Sequence, residues 1–337
     1  MKQRDEGCPD LEKGNPQESG ISLPADSIQG GSDETDKLPQ RLDRYGKAKS
    51  RAIQNVAYLR ETGKALGSDS LPLRYYCQLA ASIDRCGSYL NFHHYYTAGK
   101  VRLVGADFCK KHLLCPLCAV RRGAKSLKAY LDKFEYLRQQ DKALRLSLVT
   151  LTVKNGPDLG ERMHHLKNGV SVLLKRRNHA IRGRRVVTEW AKLKGVVGSY
   201  EVTNRGKGWH PHVHMIALHN QYLEYGAMIE EWRRITGDSY ILHVDPARHP
   251  DDPARDFLEV FKYAVKFSDL SPAHNVEAFL TLKGKRLLFS AGAFRGVQVP
   301  EELTDEALDD LPYAELFYRY VSGGYHLERY DGQEVAA

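Results

Sequence analysis

Two β-rich stretches decide the fold of this chain: Val196-Val-Gly-Ser-Tyr-Glu-Val-Thr203 and His212-Val-His-Met-Ile-Ala-Leu218. Both are rich in β-branched and apolar residues, as strands are. Asn204-Arg-Gly-Lys-Gly208 between them is a turn signal, because glycine and asparagine tolerate the backbone angles of tight turns. The sequence therefore predicts an antiparallel hairpin.

One face of this hairpin carries candidate metal ligands. His212 and His214 are two residues apart on the second strand, so both imidazoles point to the same side. A turn centred between residues 206 and 207 places Glu201 directly opposite His212. Two imidazoles and a carboxylate leave coordination positions open for an oxyanion, as in a catalytic Mg²⁺ or Mn²⁺ site. Incidental histidines on a surface strand are the alternative explanation.

Outside the hairpin, strand and helix patterns alternate along the chain. Further strands are predicted at 145–153, 240–244 and 286–290, and helices at about 158–180, 221–236 and 252–267. Alternating elements around a central hairpin predict an α+β domain in which helices flank an antiparallel sheet.

The helix predicted at 252–267 carries a candidate nucleophile, Tyr263. At about 100° per residue, its apolar side chains share one face, and Tyr263 lies opposite them with Glu259, Lys262 and Lys266. A phenol has a pKa near 10, so attack at neutral pH requires nearby positive charge or a metal, and the two lysines are candidates for that charge. Simple packing of Tyr263, or a surface pair between Glu259 and Lys262, is the alternative explanation.

Five of the six cysteines lie between residues 77 and 118. Cys115 and Cys118 form a Cys-x-x-Cys knuckle, Cys109 stands six residues upstream, and Cys86 completes a tetrathiolate zinc site. His112 and Cys77 are alternative ligands. Buried, reduced cysteines without metal are the alternative explanation.

Charge is distributed unevenly along the 337 residues. Residues 46–300 hold 42 basic and 22 acidic side chains, a net charge of +20, whereas the amino-terminal and carboxy-terminal ends carry −4 and −8. A basic body of this kind is typical of a protein that binds phosphates, and a solvated basic surface is the alternative. Directly after the cysteine knuckle, Arg121, Arg122 and Lys125 are candidate DNA contacts. Lys262, on the helix predicted at 252–267, is a fourth candidate.

Composition divides the chain into four segments. Residues 1–45 lack apolar periodicity and are predicted to be a disordered acidic tail. Residues 46–135 form the cysteine-rich zinc and DNA-binding region, 136–300 the α+β domain, and 301–337 an acidic, tyrosine-rich tail. No stretch reaches the roughly 18 apolar residues of a membrane helix, and the polar first ten residues lack the core of a signal peptide. We therefore expect a cytoplasmic protein with no membrane partner.

The motifs follow one another in a characteristic order. A strand ending Val149-Thr-Leu-Thr152 precedes Glu201, then His210-Pro-His-Val-His214, then Glu259-Val-Phe-Lys-Tyr263-Ala-Val-Lys266. In this order the sequence resembles the HUH endonucleases, specifically the rolling-circle replication initiators of small bacterial plasmids. The resemblance includes Cys-Pro-x-Cys followed by an Arg-Arg pair, and it extends to about residue 295.

The resemblance implies an HUH nuclease with a ferredoxin- or RRM-like core that nicks plasmid origin DNA, single-stranded or as a hairpin at the nick site, in a bacterial cytoplasm. His212 and His214, with Glu201 as third ligand, would hold the metal that polarises the scissile phosphate. Tyr263 would attack that phosphate and form a 5′-phosphotyrosine link with a free 3′-OH primer, and strand transfer would follow.

Two further residues have roles by this resemblance. A glutamate one turn before a single motif tyrosine, here Glu259, resembles the plasmid subgroup in which it activates water to end the round. Lys266 would offset charge developing on the phosphate. The sequence contains no Gly-x-x-x-x-Gly-Lys-Ser/Thr loop, so a host helicase and a host polymerase would be partners.

Two other interpretations compete with replication initiation. An HUH transposase or a mobilisation relaxase would share the metal strand and the tyrosine chemistry. A non-catalytic zinc DNA-binding regulator would form no covalent adduct with DNA.

Overall fold

A computed structural model describes residues 34–65, 71–239, 241–249, 251–261 and 267–331. Within them the protein is α+β and contains two antiparallel sheets, which confirms the predicted fold class. Among the helices of this part of the chain, none has both the length and the apolar character that a membrane span requires.

The helices and strands are named in chain order. The helices are α1 (Glu34–Ala65), α2 (Leu71–Arg85), α3 (Pro116–Gln140), α4 (Leu159–Ile181), α5 (Tyr225–Thr236), α6 (Pro253–Phe261) and α7 (Pro272–Leu282). The strands are β1 (Tyr89–Tyr95), β2 (Lys100–Gly105), β3 (Arg145–Thr152), β4 (Leu193–Asn204), β5 (Trp209–His219), β6 (Leu242–Pro246), β7 (Leu288–Gly292), β8 (Ala314–Val321) and β9 (Gly324–Asp331).

The larger sheet has the strand order β6-β3-β5-β4-β7, with the predicted hairpin β4–β5 inside it. Glu201 pairs directly with His212, so the register expected from the turn is confirmed. The neighbouring strand β3 pairs with β5 so that Thr150 lies opposite His214. The candidate ligands therefore lie in the interior of the sheet and not at its edge.

Helices cover both faces of this sheet. The Ser199 hydroxyl donates to the Val260 carbonyl of α6 at 2.7 Å, whereas Lys167 of α4 lies over the Tyr200 ring, with its Nζ 5.3 Å from the centroid. Successive side chains of a strand point to opposite faces, so α6 and α4 lie on opposite sides. Glu201 shares the α6 side.

The second sheet has the strand order β2-β1-β8-β9. Parts of both segments that were predicted to be tails are structured. Residues 34–45, expected to be disordered, form the first turns of α1 and bury Leu38 and Tyr45. Within 301–337, β8 pairs with β1, more than 200 residues away in sequence. Composition reports only local burial, so it missed partners at this distance. Residues 1–33 and 332–337 lie outside the described part of the chain.

The domain boundary predicted at residue 135 falls inside a helix. Helix α3 runs through it from Pro116 to Gln140, so the cysteine-rich region and the larger sheet share a continuous helix. Tyr130 of α3 stacks on Phe261 of α6 with ring centroids 5.3 Å apart. The helix is therefore packed directly against the element that precedes the candidate nucleophile in sequence.

Asp305 links segments that are far apart in the chain, because its carboxylate bonds residues of α1, β2 and α3. Its carboxylate accepts from Arg41 Nη2 at 2.6 Å, from Arg121 Nη2 at 2.5 Å and from the Leu103 backbone at 2.9 Å. Arg121 also donates to the Tyr45 hydroxyl at 2.9 Å. Burial alone would raise the pKa of the Asp305 carboxyl, but the charges of Arg121 and Arg41 outweigh it and hold the pKa well below its usual range.

We expect Asp305→Asn to lower the free energy of unfolding by about 3 kcal/mol at pH 7, because it leaves two guanidinium groups without their shared anion. The Asp305 side chain remains 20% exposed, which places the loss at the low end of the range for buried pairs. A lowered folded-state pKa stabilises the protein above the unfolded value of about 3.9 and stabilises it less as the pH falls below that value. The free energies of unfolding of the natural protein and of Asp305→Asn, measured with urea, should therefore become equal at acidic pH.

The exposed Asp309 provides the matched control, because no ion pair of the described residues involves it. Asp309→Asn should change the free energy of unfolding by less than about 0.5 kcal/mol. An equal loss in the two variants would contradict the role assigned to Asp305.

Candidate metal centres and active site

The first cluster of metal ligands lies on the α6 side of the hairpin. Glu201 Oε2 is 3.2 Å from His212 Nε2 and 3.6 Å from His214 Nε2. Glu201 is fully buried, whereas the His214 side chain retains 23% of its exposure. One ligand atom from each residue lies within 4.8 Å of the other two. A carboxylate and two imidazoles thus converge on one point that solvent reaches from the His214 side.

The outer nitrogen of each imidazole is held by a neighbour. His212 Nδ1 donates to the His210 backbone carbonyl at 3.3 Å, and His214 Nδ1 lies 3.1 Å from the Thr150 hydroxyl. A carbonyl only accepts, so His212 can keep a proton on Nδ1 while Nε2, which faces Glu201, binds a cation. Such contacts fix the orientation of metal-binding imidazoles.

His210 lies beside the cluster but is not part of it. Its ring is 5.6 Å from the His212 ring, and its Nδ1 lies 2.6 Å from Asn155 Oδ1. Burial, followed by the charges of His212 and Arg205, lowers the pKa of His210 to about 4. His210 is therefore neutral at physiological pH and adds no charge to the site.

Helix α6 is anchored above the cluster. Ser199 pairs with His214 across the hairpin, and its hydroxyl bonds the Val260 carbonyl in the last turn of α6. Phe257 and Phe261 are fully buried, as the predicted apolar face requires, and Glu259 between them is half-buried. The catalytic candidates Tyr263 and Lys266 and the candidate DNA contact Lys262 lie outside the described residues.

The second cluster consists of four sulfur atoms, those of the four cysteines predicted to bind zinc. Sγ of Cys118 lies 3.5 Å from Sγ of Cys86 and 3.6 Å from Sγ of Cys109, and the Cys115 and Cys86 sulfurs are 3.5 Å apart. A disulfide requires about 2.05 Å, so these thiols are free. In a tetrahedral tetrathiolate with metal–sulfur bonds of about 2.3 Å, the sulfurs are about 3.8 Å apart. The cluster nearly has that spacing.

The close contacts between the four sulfurs also shift the pKa values of the thiols. Hydrogen bonds from Cys115, Cys118 and Cys86 hold the pKa of the Cys109 thiol far below its usual range. The corresponding bonds to Cys109 raise the pKa of Cys115 and of Cys118. The thiols of the cluster therefore titrate together, and a metal cation would replace their protons.

The alternative ligands and the candidate DNA contacts have different positions. Cys77 is exposed on α2 and, like His112, is not part of the described cluster. Arg121 is only 4% exposed and bonds Asp305, so its guanidinium already has an internal partner, and its expected contact with DNA stays a prediction. Arg122 donates to the Pro300 carbonyl, and Lys125 Nζ lies 4.0 Å from Asp305. The spacing of cations on a helix does not report which carboxylate from elsewhere in the chain will neutralise them.

Sequence reasoning missed the residues that support the first cluster. Thr150 was assigned to a strand, and its place opposite His214 depends on how β3 pairs with β5. Ser199 lies two residues before Glu201, so strand alternation alone puts it on the ligand face. The sequence could therefore have placed Ser199 on the ligand face. The hydrogen bond from Ser199 to Val260 could not be predicted, because it depends on how α6 packs on the sheet.

Comparison with known proteins gives a consistent family. The model of the replication protein family matches residues 100–316, which is more than half of the chain. The chain is 24% identical to a curated "Protein rep" of Staphylococcus aureus over 240 residues, 68% of this chain and 94% of that protein. It is 29% identical to a "Protein rep" of Streptococcus pneumoniae over 266 residues, 72% of this chain and 78% of that protein.

No solved structure matches the chain significantly. The family match includes β3, the β4–β5 hairpin and α6, so it spans Glu201, His212 and His214 and the elements that support them. The resemblance to rolling-circle initiators is thereby confirmed, and this chain belongs to the replication protein family.

Proposed function

We propose that this plasmid replication initiator nicks its origin DNA through Tyr263 and remains linked to the 5′ phosphate. The observation that best supports this proposal is the buried Glu201 carboxylate between two imidazoles, on the sheet face to which α6 is bonded. A buried carboxylate is unfavourable without a cation, and this arrangement provides for one.

Glu201, His212 and His214 are the residues that would hold a divalent metal. The ion, Mg²⁺ or Mn²⁺, would polarise the scissile phosphate and make it more electrophilic. Nitrogen and oxygen donors fit such a cation, and the partly exposed side of His214 admits a phosphate oxygen. Thr150 and the His210 carbonyl keep the two imidazoles in the orientation that this contact needs.

Tyr263 is the nucleophile in this proposal, two positions beyond the last described residue of α6. Its phenol loses a proton and its oxygen attacks phosphorus. The bond from phosphorus to the 3′ oxygen breaks, and that oxygen takes up a proton to become the 3′-OH primer. Lys262 and Lys266 would stabilise the phenolate and the charge on the phosphate.

The covalent link retains the energy of the phosphodiester, so a later 3′-OH can displace Tyr263 and rejoin the strand. Glu259 would end the round by taking a proton from water, which attacks the same phosphorus and releases the tyrosine. Strand transfer and hydrolysis thus take place at the same site, and the group that attacks the phosphotyrosine is a 3′-OH in the first and water in the second.

The four-cysteine cluster would hold a structural Zn²⁺. A closed set of four thiolates leaves no position for substrate, so its role is to stabilise the fold around residues 86–118. The partners of the whole protein would be plasmid origin DNA, single-stranded or as a hairpin at the nick, with a host helicase and polymerase in the bacterial cytoplasm.

The decisive experiment incubates the purified chain with Mn²⁺ and single-stranded fragments of its replicon and looks for a protein–DNA adduct that survives denaturing electrophoresis. We expect an adduct with the natural protein and none with Tyr263→Phe, because phenylalanine lacks the attacking oxygen. Conversion of His212 to Ala should reduce adduct formation at least about 100-fold by weakening the metal site.

An adduct that persists in Tyr263→Phe would mean that another tyrosine attacks. No adduct from folded protein on verified origin DNA would favour the non-catalytic zinc regulator.

Ser199 is a positioning residue in this proposal. Ser199→Ala removes the donor to the Val260 carbonyl, and we expect the rate of adduct formation to fall about 10-fold while the affinity for Mn²⁺ stays unchanged. Isothermal titration measures the metal affinity, and Ser199→Thr should restore part of the rate. Ser147→Ala, which removes an equally buried strand hydroxyl bonded to His219, is the control and should leave the rate unchanged. Equal losses in the two variants would assign Ser199 a general structural role only.

The zinc assignment is tested by metal content. The natural protein should release about one Zn²⁺ per chain when its thiols are blocked, as a colorimetric chelator reports. Cys118→Ser should lose the metal and unfold at a lower temperature, whereas Cys77→Ser, outside the cluster, should keep both properties. Retention of zinc by Cys118→Ser would contradict the four-thiolate site.

A further inference from the structure

A large cleft lies on the far side of α3 from the candidate active site. It has a volume of about 1040 Å³ and is bounded by α1, α3, β2 and the segment 297–308. Helix α1 is outside the region matched by the family model, which begins at residue 100. The proposed nicking reaction makes no use of this cleft.

Two helices line the cleft with rows of cations. Helix α1 contributes Lys37, Arg41 and Arg44, which are spaced by four and three residues and therefore share one helix face. Helix α3 contributes a row with the same spacing: Arg121, Lys125 and Lys128. The two rows lie on different walls of one cavity.

The carboxylates in the cleft are fewer than its cations, and two of them, Glu34 and Asp132, pair with Arg102 and Lys128. Among its described lining residues are eight Lys and Arg side chains and four Asp and Glu side chains. Asp305 is shared by Arg41 and Arg121 and lies 4.0 Å from Lys125. The Lys125 side chain is 17% exposed, and this burial lowers the pKa of its ammonium. The described lining residues therefore carry a formal net charge of +4, which favours an anionic ligand.

Apart from two glutamines, the uncharged lining is apolar or aromatic. Val297, Pro300 and Leu308 line the cavity with accessible side chains, and Tyr136 at its rim is 55% exposed. Lys133 Nζ lies 4.9 Å from the centre of the Tyr136 ring, so a cation and an aromatic face stand side by side. Phosphates suit the cations, and unpaired bases suit the apolar wall and the tyrosine. A duplex keeps its bases stacked inside and offers them to neither surface.

We propose that this cleft is a second DNA site, which binds a short segment of single-stranded DNA apart from the scissile phosphate. The proposal rests on the proposed function only in taking single-stranded DNA as the substrate. Helix α3 connects the two sites, because its opposite face packs on α6 through Tyr130 with Phe261 and through Phe134 with Phe257. DNA held in the cleft thus lies against the helix that supports the catalytic element.

The test measures binding of a fluorescent oligothymidine that lacks the nick sequence, by anisotropy over a range of salt concentrations and without added divalent metal. The triple variant Arg44→Glu, Lys128→Glu, Lys133→Glu should bind at least about 10-fold more weakly. The plot of log affinity against log salt concentration should become less steep by about 2. Each phosphate contact on a single strand contributes about 0.7 to the steepness, and three cations are removed. Tyr136→Ala should weaken binding about 5- to 100-fold through lost stacking and leave the slope unchanged.

The matched control reverses three exposed cations outside the cleft, Lys142→Glu, Arg182→Glu and Arg185→Glu, and should retain most of the affinity and the salt slope. Equal binding by the two triple variants, both shown to be folded by circular dichroism, would overturn the proposal. So would equal affinity for free thymidine monophosphate, which would make the cleft a mononucleotide site. Because this assay involves no cleavage, its failure is distinct from failure of the Tyr263 reaction, which is scored by adduct formation alone.

Discussion

The pairing of Glu201 with His212 is the constraint on which the candidate site depends. Side chains alternate along a strand, so a slip of one residue in β4 would carry the Glu201 carboxylate to the α4 side of the sheet. The turn prevents that slip. Gly208 has a φ of +84°, and a side chain there would meet the Gly156 carbonyl at 2.7 Å. Trp209 and Gly156 also exchange two backbone hydrogen bonds, which hold the start of β5 in place.

The loop that leads to Cys115 is hydrogen-bonded to two helices. Asn275 of α7 donates to the Leu113 carbonyl at 3.1 Å, and Asn55 of α1 donates to the Leu114 carbonyl at 2.9 Å and to Asn275 at 2.7 Å. These contacts tie the loop that leads to Cys115 to the helix that follows the candidate nucleophile. Because both amide side chains are buried, these hydrogen bonds hold the cysteine loop against α1 and α7.

Helix α3 has three roles that its sequence alone does not separate. Its first turn carries Cys118, one face packs on α6 through Tyr130, and another lines the basic cleft with Lys125. A rigid helix that contacts a metal centre, a catalytic element and a charged cavity holds all three at constant distances. We attribute the close packing of the cysteine-rich region and the larger sheet to this shared element.

The sequence by itself determined the ligand types, the hairpin, its register and the α+β class, because strand alternation and turn chemistry act over a few residues. The four cysteines were also identifiable, since their spacing and their chemistry are local. Only the tertiary structure decided that Arg121 is neutralised by Asp305, 184 residues away, and that β8 completes a sheet with β1. The same holds for the bond from Ser199 to Val260. In each case the partner is distant in the chain, and no local pattern of charge or hydrophobicity reports which distant group will supply the counter-ion, the strand edge or the acceptor.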